Sequence, residues 1–286
     1  MFTSAAGNTL SFTYTVQDGD TAADLDVTTL NLNGAVIEDA AGNAASFSFS
    51  GELAAAAAIV IDTTAPDAPT VDALVTLSLL PSITGTTGTG AGLPTDETLT
   101  VVVNGATYEV TPNTTTWSLD LAAAVPTSGT LGAFTDGTYP VTATVTDEAG
   151  NTGSVSVANA LVVDTTAPAA PTVDALLTKL DNPTLTGTVT LGEGETLTVT
   201  VDGVDYDSDG EVTVVNNDWS LDLSDSGITP AVELTDGTYP VTATVTDTAG
   251  NSVNDSTTEE LVVDSTGPSV VAVSYTHLTL PTKRIV

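Results

Sequence analysis

The side chains in this sequence that could do chemistry are nearly all carboxylates. Asp147 and Asn151 bracket the loop D-E-A-G-N, and Asp247 and Asn251 bracket D-T-A-G-N. Asp62 and Asp164 open two copies of D-T-T-A-P that precede those loops. Carboxylate, amide and carbonyl oxygens are hard donors, so a site built from them suits Ca2+ far better than zinc or copper. The same spacing also shapes a tight turn, with Asp accepting hydrogen bonds from its own backbone and Asn tolerating a left-handed conformation; the two roles are compatible. A second run, Asp205, Asp207, Asp209 and Gly210, opens like a D-x-D-x-D-G calcium loop. It carries Asn216 where such a loop needs a bidentate Glu, and reads most simply as an elongated hairpin tip.

No catalytic set accompanies these acids, and the chain is not expected to be an enzyme. The single histidine, His277, lies in an anomalous tail, and no G-x-S-x-G elbow, phosphate loop or H-E-x-x-H helix occurs. Without cysteine there is no thiol nucleophile, disulfide or Cys-type zinc site. Acidic residues number 37 against three Lys and Arg, which argues against nucleic acid or an anionic membrane as partner and toward cations. No apolar run approaches the ~18 residues of a membrane span, so insertion is not expected. Aromatics make up 5% of the chain, too few to suggest a sugar-stacking platform.

The elements that must position these acids are repeated. Asp136–Asn151 reads DGTYPVTATVTDEAGN and Asp236–Asn251 reads DGTYPVTATVTDTAGN, differing only at Glu148 and Thr248. DTTAPDAPTVDAL from Asp62 recurs as DTTAPAAPTVDAL from Asp164, and WSLDL recurs at Trp117 and Trp219. A period near one hundred residues suits a whole small domain rather than a solenoid turn. This phase predicts residues 62–163 and 164–263 as full repeats, 1–61 as the C-terminal part of a divergent unit, and 264–272 as the start of a further one. Inside each repeat apolar residues alternate, as at Leu99, Val101 and Val103 or Val141, Ala143 and Val145, which marks half-buried strands. Turn signals fall every eight to fifteen residues, at Asn104-Gly105, Asp136-Gly137 and Asp202-Gly203 among others. The expected fold is all-β, an antiparallel β-sandwich in each repeat.

D-G-T-Y at Asp136 and Asp236 resembles the corner of immunoglobulin-like folds, where a Tyr hydroxyl returns to the backbone. Val141 and Val241 stand where an antibody domain has its second Cys, so packing must replace the disulfide. Together, DTTAPxAPTVDAL, DGTYPVTATVTDxAGN and WSLDL resemble the bacterial Ig-like repeats of giant adhesins exported by type I secretion and used in biofilm and surface attachment. In an Ig-like strand order the start of the first strand and the loop before the last share one pole, which brings Asp62 toward Asp147 and Asn151, and Asp164 toward Asp247 and Asn251. The resemblance implies calcium at stiffened junctions between tandem domains joined by short Pro-containing linkers, and a stalk on the bacterial cell surface whose partners are neighbouring repeats. It also implies that a host or surface ligand is bound by domains outside 1–286. Two rivals stand beside the stalk: a glycan- or protein-binding module, and a spacer in a large extracellular hydrolase.

From Val273 the chain reads VSYTHLTLPTKRIV and holds His277, Lys283 and Arg284, all but one of the non-acidic ionisable side chains His, Lys and Arg. VSYTHL is similar to the translation of a transposon-end sequencing adapter, and residues 273–286 are expected to be non-native. Amplifying the locus from source DNA and reading past the codon for Val271 should return a different continuation; recovery of THLTLPTKRIV would make the tail genuine.

Overall fold

The computed structural model describes residues 2–6, 9–27, 29–32, 34–47, 59–228, 233–255 and 257–270. The tail at 273–286 lies outside the described residues. Two compact units divide the chain, Met1–Thr165 and Thr166–Val286. No α-helix occurs among the described residues.

The first unit opens with two small antiparallel ladders, β1 (Phe2–Ala6) with β2 (Thr9–Phe12) and β3 (Thr21–Ala22) with β4 (Ile61–Asp62). A sandwich follows, made of β5 (Leu74–Thr76), β6 (Ser82–Thr86), β7 (Thr98–Val103), β8 (Ala106–Val110), β9 (Thr116–Asp120), β10 (Ser128–Gly129), β11 (Gly137–Thr146) and β12 (Thr152–Val163). One sheet runs β10-β8-β7-β11-β12-β5, with β5 parallel to β12 and the remaining pairs antiparallel. The other pairs β6 with β9. Residues 70–72 extend it, since the N–H groups of Thr70 and Asp72 donate to Thr86 and Thr84 carbonyls at 2.9 Å each.

Period-two alternation is what fills the space between the sheets. Leu99, Val101 and Val103 from β7, Val141, Ala143 and Val145 from β11, and Ile83, Trp117 and Leu119 from the second sheet are all buried. Each such aliphatic side chain contributes about 1.5–3 kcal/mol on full burial, enough together to hold a domain of this size without a disulfide. Val141, at the position of the antibody cysteine, is completely enclosed. The hairpin turns follow their sequence: Asn104 and Gly105 have φ of 44° and 86°, Asp202 and Gly203 51° and 82°, the paired positive φ of a type I′ turn.

Two contacts fix the sandwich edges. The indole N–H of Trp117 donates to the carbonyls of Thr70 and Thr86, both at 3.1 Å, and that of Trp219 to Thr172 at 2.8 Å. The ring lies across a bare glycine: a Cβ on Gly187 would sit 2.0 Å from the Thr172 oxygen and 2.5 Å from Trp219 Nε1, with the same crowding at Gly85. The tyrosine corner is formed as its motif predicts. Tyr139 donates its hydroxyl to the Thr135 carbonyl at 2.9 Å and accepts the Thr135 N–H at 2.9 Å, and Tyr239 repeats both bonds on Thr235.

The second unit repeats the plan with β13 (Leu176–Thr178), β14 (Thr184–Thr188), β15 (Thr196–Val201), β16 (Val204–Asp207), β17 (Thr213–Val215), β18 (Asp218–Asp222), β19 (Gly237–Tyr239), β20 (Val241–Thr246), β21 (Ser252–Asn254) and β22 (Leu261–Val263). It departs from the first in its last strand. Where β12 is continuous over twelve residues, the counterpart is split into β21 and β22 by D-S-T-T-E-E at 255–260, in place of V-S-V-A-N-A. The Asp255 N–H still donates to the Ala243 carbonyl at 2.9 Å, but the Ala243 N–H donates to Asp255 Oδ1, also at 2.9 Å. A side chain has taken the ladder position of a backbone carbonyl, and the chain leaves the sheet there. Before it returns, Glu259 adopts φ +64° and Glu260, 5% exposed, has both carboxylate oxygens buried without a hydrogen-bond partner.

In denaturant melts of the full chain, Trp219→Ala should cost the second unit about 3–5 kcal/mol and Gly187→Ala about 1–3 kcal/mol through overpacking. Tyr139→Phe should cost about 0.5–1.5 kcal/mol, the low end because its hydroxyl bonds lie at a half-exposed edge. Near-zero losses for the first two changes would mean the core is misassigned.

Candidate functional site

The Asp-x-Ala-Gly-Asn loops fold identically, because each Asp organises its own turn. The Asn151 N–H donates to Asp147 Oδ1 and its side-chain amide to Asp147 Oδ2, both at 2.8 Å, while the Asp147 N–H donates to the Asn151 carbonyl at 3.1 Å. Asp247 and Asn251 make the same three bonds at 2.8, 2.8 and 3.0 Å. A third copy stands in the leading segment, where Asp39 accepts from the N–H and amide of Asn43 at 2.9 and 2.7 Å. The turn chemistry of the motif is therefore realised in all three loops. The Asn151 amide, followed by backbone N–H groups, holds the Asp147 carboxyl below the usual carboxylate range, and Asn43 does the same for Asp39. At Asp247 burial pushes upward, and the Asn251 amide with the loop N–H groups outweighs it to leave the carboxyl lowered.

The linker reaches the first of these loops through its backbone. The Asn151 amide that caps Asp147 also donates to the carbonyl of Asp62 at 3.0 Å, while the Asp62 carboxylate accepts the N–H of Thr64 at 2.9 Å. Asp164, whose N–H donates to the Thr76 carbonyl at 3.0 Å, is the penultimate residue of the first unit, and Asp247 and Asn251 form the loop of the second. Asp205 and Asp207 lie two apart on β16, each accepting a hydroxyl from β15: Thr200 at 2.7 Å and Thr198 at 2.8 Å. They are set along an extended strand rather than around a loop, with Asp209 in the turn that follows.

Two sets of acids escaped the sequence reading. Glu97 stands at the Asp147 pole, and burial, then the charges of Asp96, Asp147 and Asp67, push its carboxyl above the usual range. Four carboxylates thus share one end of the first repeat, and the second repeat has Ala169 where the first has Asp67. The other set is a latch. Asp136 Oδ1 accepts the N–H and hydroxyl of Thr165 at 2.8 and 2.7 Å. Asp236 Oδ1 likewise accepts the N–H and hydroxyl of Ser265 at 2.7 and 2.5 Å, and its Oδ2 accepts the Thr266 hydroxyl. The signal was present in the fixed register between D-G-T-Y and the next D-[TS]-T, but it joins residues about thirty apart through one side chain.

Tested against calcium, the donor set at the first pole fits in kind: Asp62 carbonyl, Asp147 and Asn151, with Asp67, Asp96 and Glu97 close by, is all oxygen and strongly anionic. It is not gathered as a cage. Among the described residues no three acidic or histidine side chains converge as a metal-binding group.

The family model of the Bacterial Ig-like domain matches residues 172–265, the span of the second sandwich. Fold and match agree that the chain carries tandem Ig-like β-sandwiches. Among solved structures, the chain is similar to a 1.5-MDa bacterial ice-binding adhesin at 24% identity over 70% of this chain and 66% of that one, with a TM-score of 0.33. It is also similar to a tetra-tandem repeat from the extending region of a large adhesion protein, at 24% identity over 80% and 55% with a TM-score of 0.25. An I-band fragment of titin aligns at 16% identity over 65% and 63% with a TM-score of 0.29. The chain spans less than two thirds of the length of each. No curated protein matches it.

The Ser265 and Thr266 hydroxyls, then backbone N–H groups, lower the Asp236 carboxyl to about 2. A depressed carboxylate contributes stability that is complete above its unfolded value, about 3.9, and is lost as pH falls through the folded one. The latch should therefore release between about pH 4 and pH 2, read as loss of the Ser265 amide shift in NMR. Asp236→Asn should show that released shift at neutral pH; an Asp236 titration near 4 would remove the latch.

Proposed function

We propose that this chain is a stalk segment of a secreted, cell-surface bacterial adhesin, whose tandem Ig-like repeats hold a binding domain away from the cell in attachment or biofilm formation. The observation that carries the reading is that the repeated loops serve the junctions. Asn151 holds the linker carbonyl of Asp62, Asp136 holds Thr165 just past the next linker Asp, and the cores between are near copies. A spacer needs uniform bodies and controlled ends, and both are supported by residues that the two full repeats carry. The rival binding-module reading draws no comparable support, since the repeated loops are occupied in holding their own turns.

Within this reading, calcium stiffens the junctions at Asp62, Asp147 and Asn151 and at Asp164, Asp247 and Asn251. What supports it is the crowding of like charge: burial first, and then the charges of Asp96, Asp147 and Asp67, raise Glu97, and a divalent cation would relieve the repulsive part. Magnesium, small and strictly octahedral, should substitute poorly among donors so spread. The ligand the adhesin attaches to is met by other domains.

The test is thermal melting and small-angle scattering of the full chain in chelator, magnesium or calcium. Free calcium at a hundred times its dissociation constant should stabilise by roughly 2.7 kcal/mol per site, with a stiffer scattering profile. Glu97→Gln with Asp67→Ala, which leaves the Asp147 turn intact, should reduce the response; an equal response in both proteins removes the first-pole site. Native protein that ignores calcium leaves Pro66, Pro69, Pro168 and Pro171 as the source of linker stiffness.

A further inference from the structure

We propose that the second repeat is the weak link of the array, built to open first under tension, and that its interrupted last strand is where it opens. In each repeat the chain enters near a short strand and leaves along another parallel to it. Leu74, Val75 and Thr76 pair with Leu161, Val162 and Val163, and Leu176, Leu177 and Thr178 pair with Leu261, Val262 and Val263. Parallel pairing places entry and exit at opposite ends of the pair, so tension along the chain shears these bonds together instead of peeling them singly. One further bond closes each clamp, from the Asp164 N–H to the Thr76 carbonyl at 3.0 Å and from Asp264 to Thr178 at 2.8 Å. The two clamps are equivalent.

What stands behind them is not. In the first repeat the clamped strand runs on without a break to Thr152; its ladder with β11 skips only residues 158–160, opposite Pro140, then resumes from Val157 to Thr152, with Val155 and Val157 packed against the core. In the second, the clamp is β22 with the Glu260 carbonyl, which accepts the Leu176 N–H at 2.6 Å, and β21 pairs with β20 only from Asn254 back, with one more backbone bond from the Asp255 N–H to the Ala243 carbonyl. Between them Asp255 and Thr257 replace the two valines, Glu259 is held in the left-handed region, and Glu260 buries an unpartnered carboxylate where the first repeat has Ala160, 1% exposed. Each difference removes apolar contact or adds a cost to the closed state, while opening the segment returns Glu260 to water. A local opening of low free energy is thereby placed directly behind the clamp. The D-G-T-Y block and the loop after it are near-identical in the two repeats, so the two last strands are compared against a like partner strand. The proposal rests on the stalk reading only for the source of the load; the difference in local stability stands without it.

Hydrogen exchange on the full chain under native conditions tests this, because peptides assign opening to a repeat. Amides at 257–263 should exchange at least about tenfold faster than those at 157–163, the signature of a lower local opening free energy. Asp255→Val with Glu260→Ala, which installs the first repeat's residues, should slow exchange at 257–263 toward the first-repeat rate and raise the lowest rupture force in single-molecule stretching. Ala160→Glu should speed exchange at 157–163. Equal protection of the two strands in the native chain, or no slowing in the double variant, overturns the proposal. Failure of the calcium and scattering test would count against the stalk and leave these exchange rates where they are.

Discussion

Inside each repeat an indole N–H needs an acceptor, and how it finds one sets where the linker can go. A buried donor left unpaired costs about 1–3 kcal/mol, so Trp117 and Trp219 must reach a carbonyl from within the core. The carbonyls they reach belong to Thr70 and Thr172, in the segments that lead from the linker into each sandwich. The ring can cross only because Gly85 and Gly187 present no Cβ to it. Residues 70–72 and 172–174 are then pinned beside β6 and β14 by backbone bonds, and Thr84 and Thr186 add hydroxyl bonds to Asp72 and Asp174 at 2.7 and 2.8 Å. The linker prolines start from a fixed point. Every contact at the pole, including that of Asn151 with Asp62, presupposes this anchor.

The acid-rich surface is organised by neutral donors. Lys179 is the one base among the described residues, so carboxylates have almost no cation of the chain to pair with. They take hydroxyls and N–H groups instead, as Asp205 and Asp207 do from Thr200 and Thr198, and Asp136 from Thr165. Such bonds orient a carboxylate without cancelling its charge. The result is a sandwich whose carboxylates are oriented and whose field is strongly negative, which draws in counter-ions.

Much of the fold was legible because its signals are local. Alternation at Leu99, Val101 and Val103 gives a strand from its own spacing, Asn104-Gly105 gives its turn from its own φ preferences, and D-G-T-Y carries a corner whose partner is four residues away. The Asp147 and Asn151 turn is local in the same way. The pole and latch were less visible, since Glu97 meets Asp67 and Asp147, and Asp136 meets Thr165, only after the sheets bring loops together. The interruption at 255–260 was readable in part. D-S-T-T-E-E breaks the alternation that V-S-V-A-N-A begins, yet the strength of the repeat invites the assumption that copies share every strand.

The latch has a consequence for inheritance. Asp136 holds Thr165, and Asp236 holds Ser265 and Thr266, so each body is finished by the first residues of whatever copy comes next. Any copy beginning D-T-T or D-S-T can supply them, and any copy ending in D-G-T-Y and its loop can receive them. Deleting or duplicating one period leaves no donor or acceptor stranded at the new seam. The length of such an array is then free to drift by unequal recombination, with reach selected separately from fold.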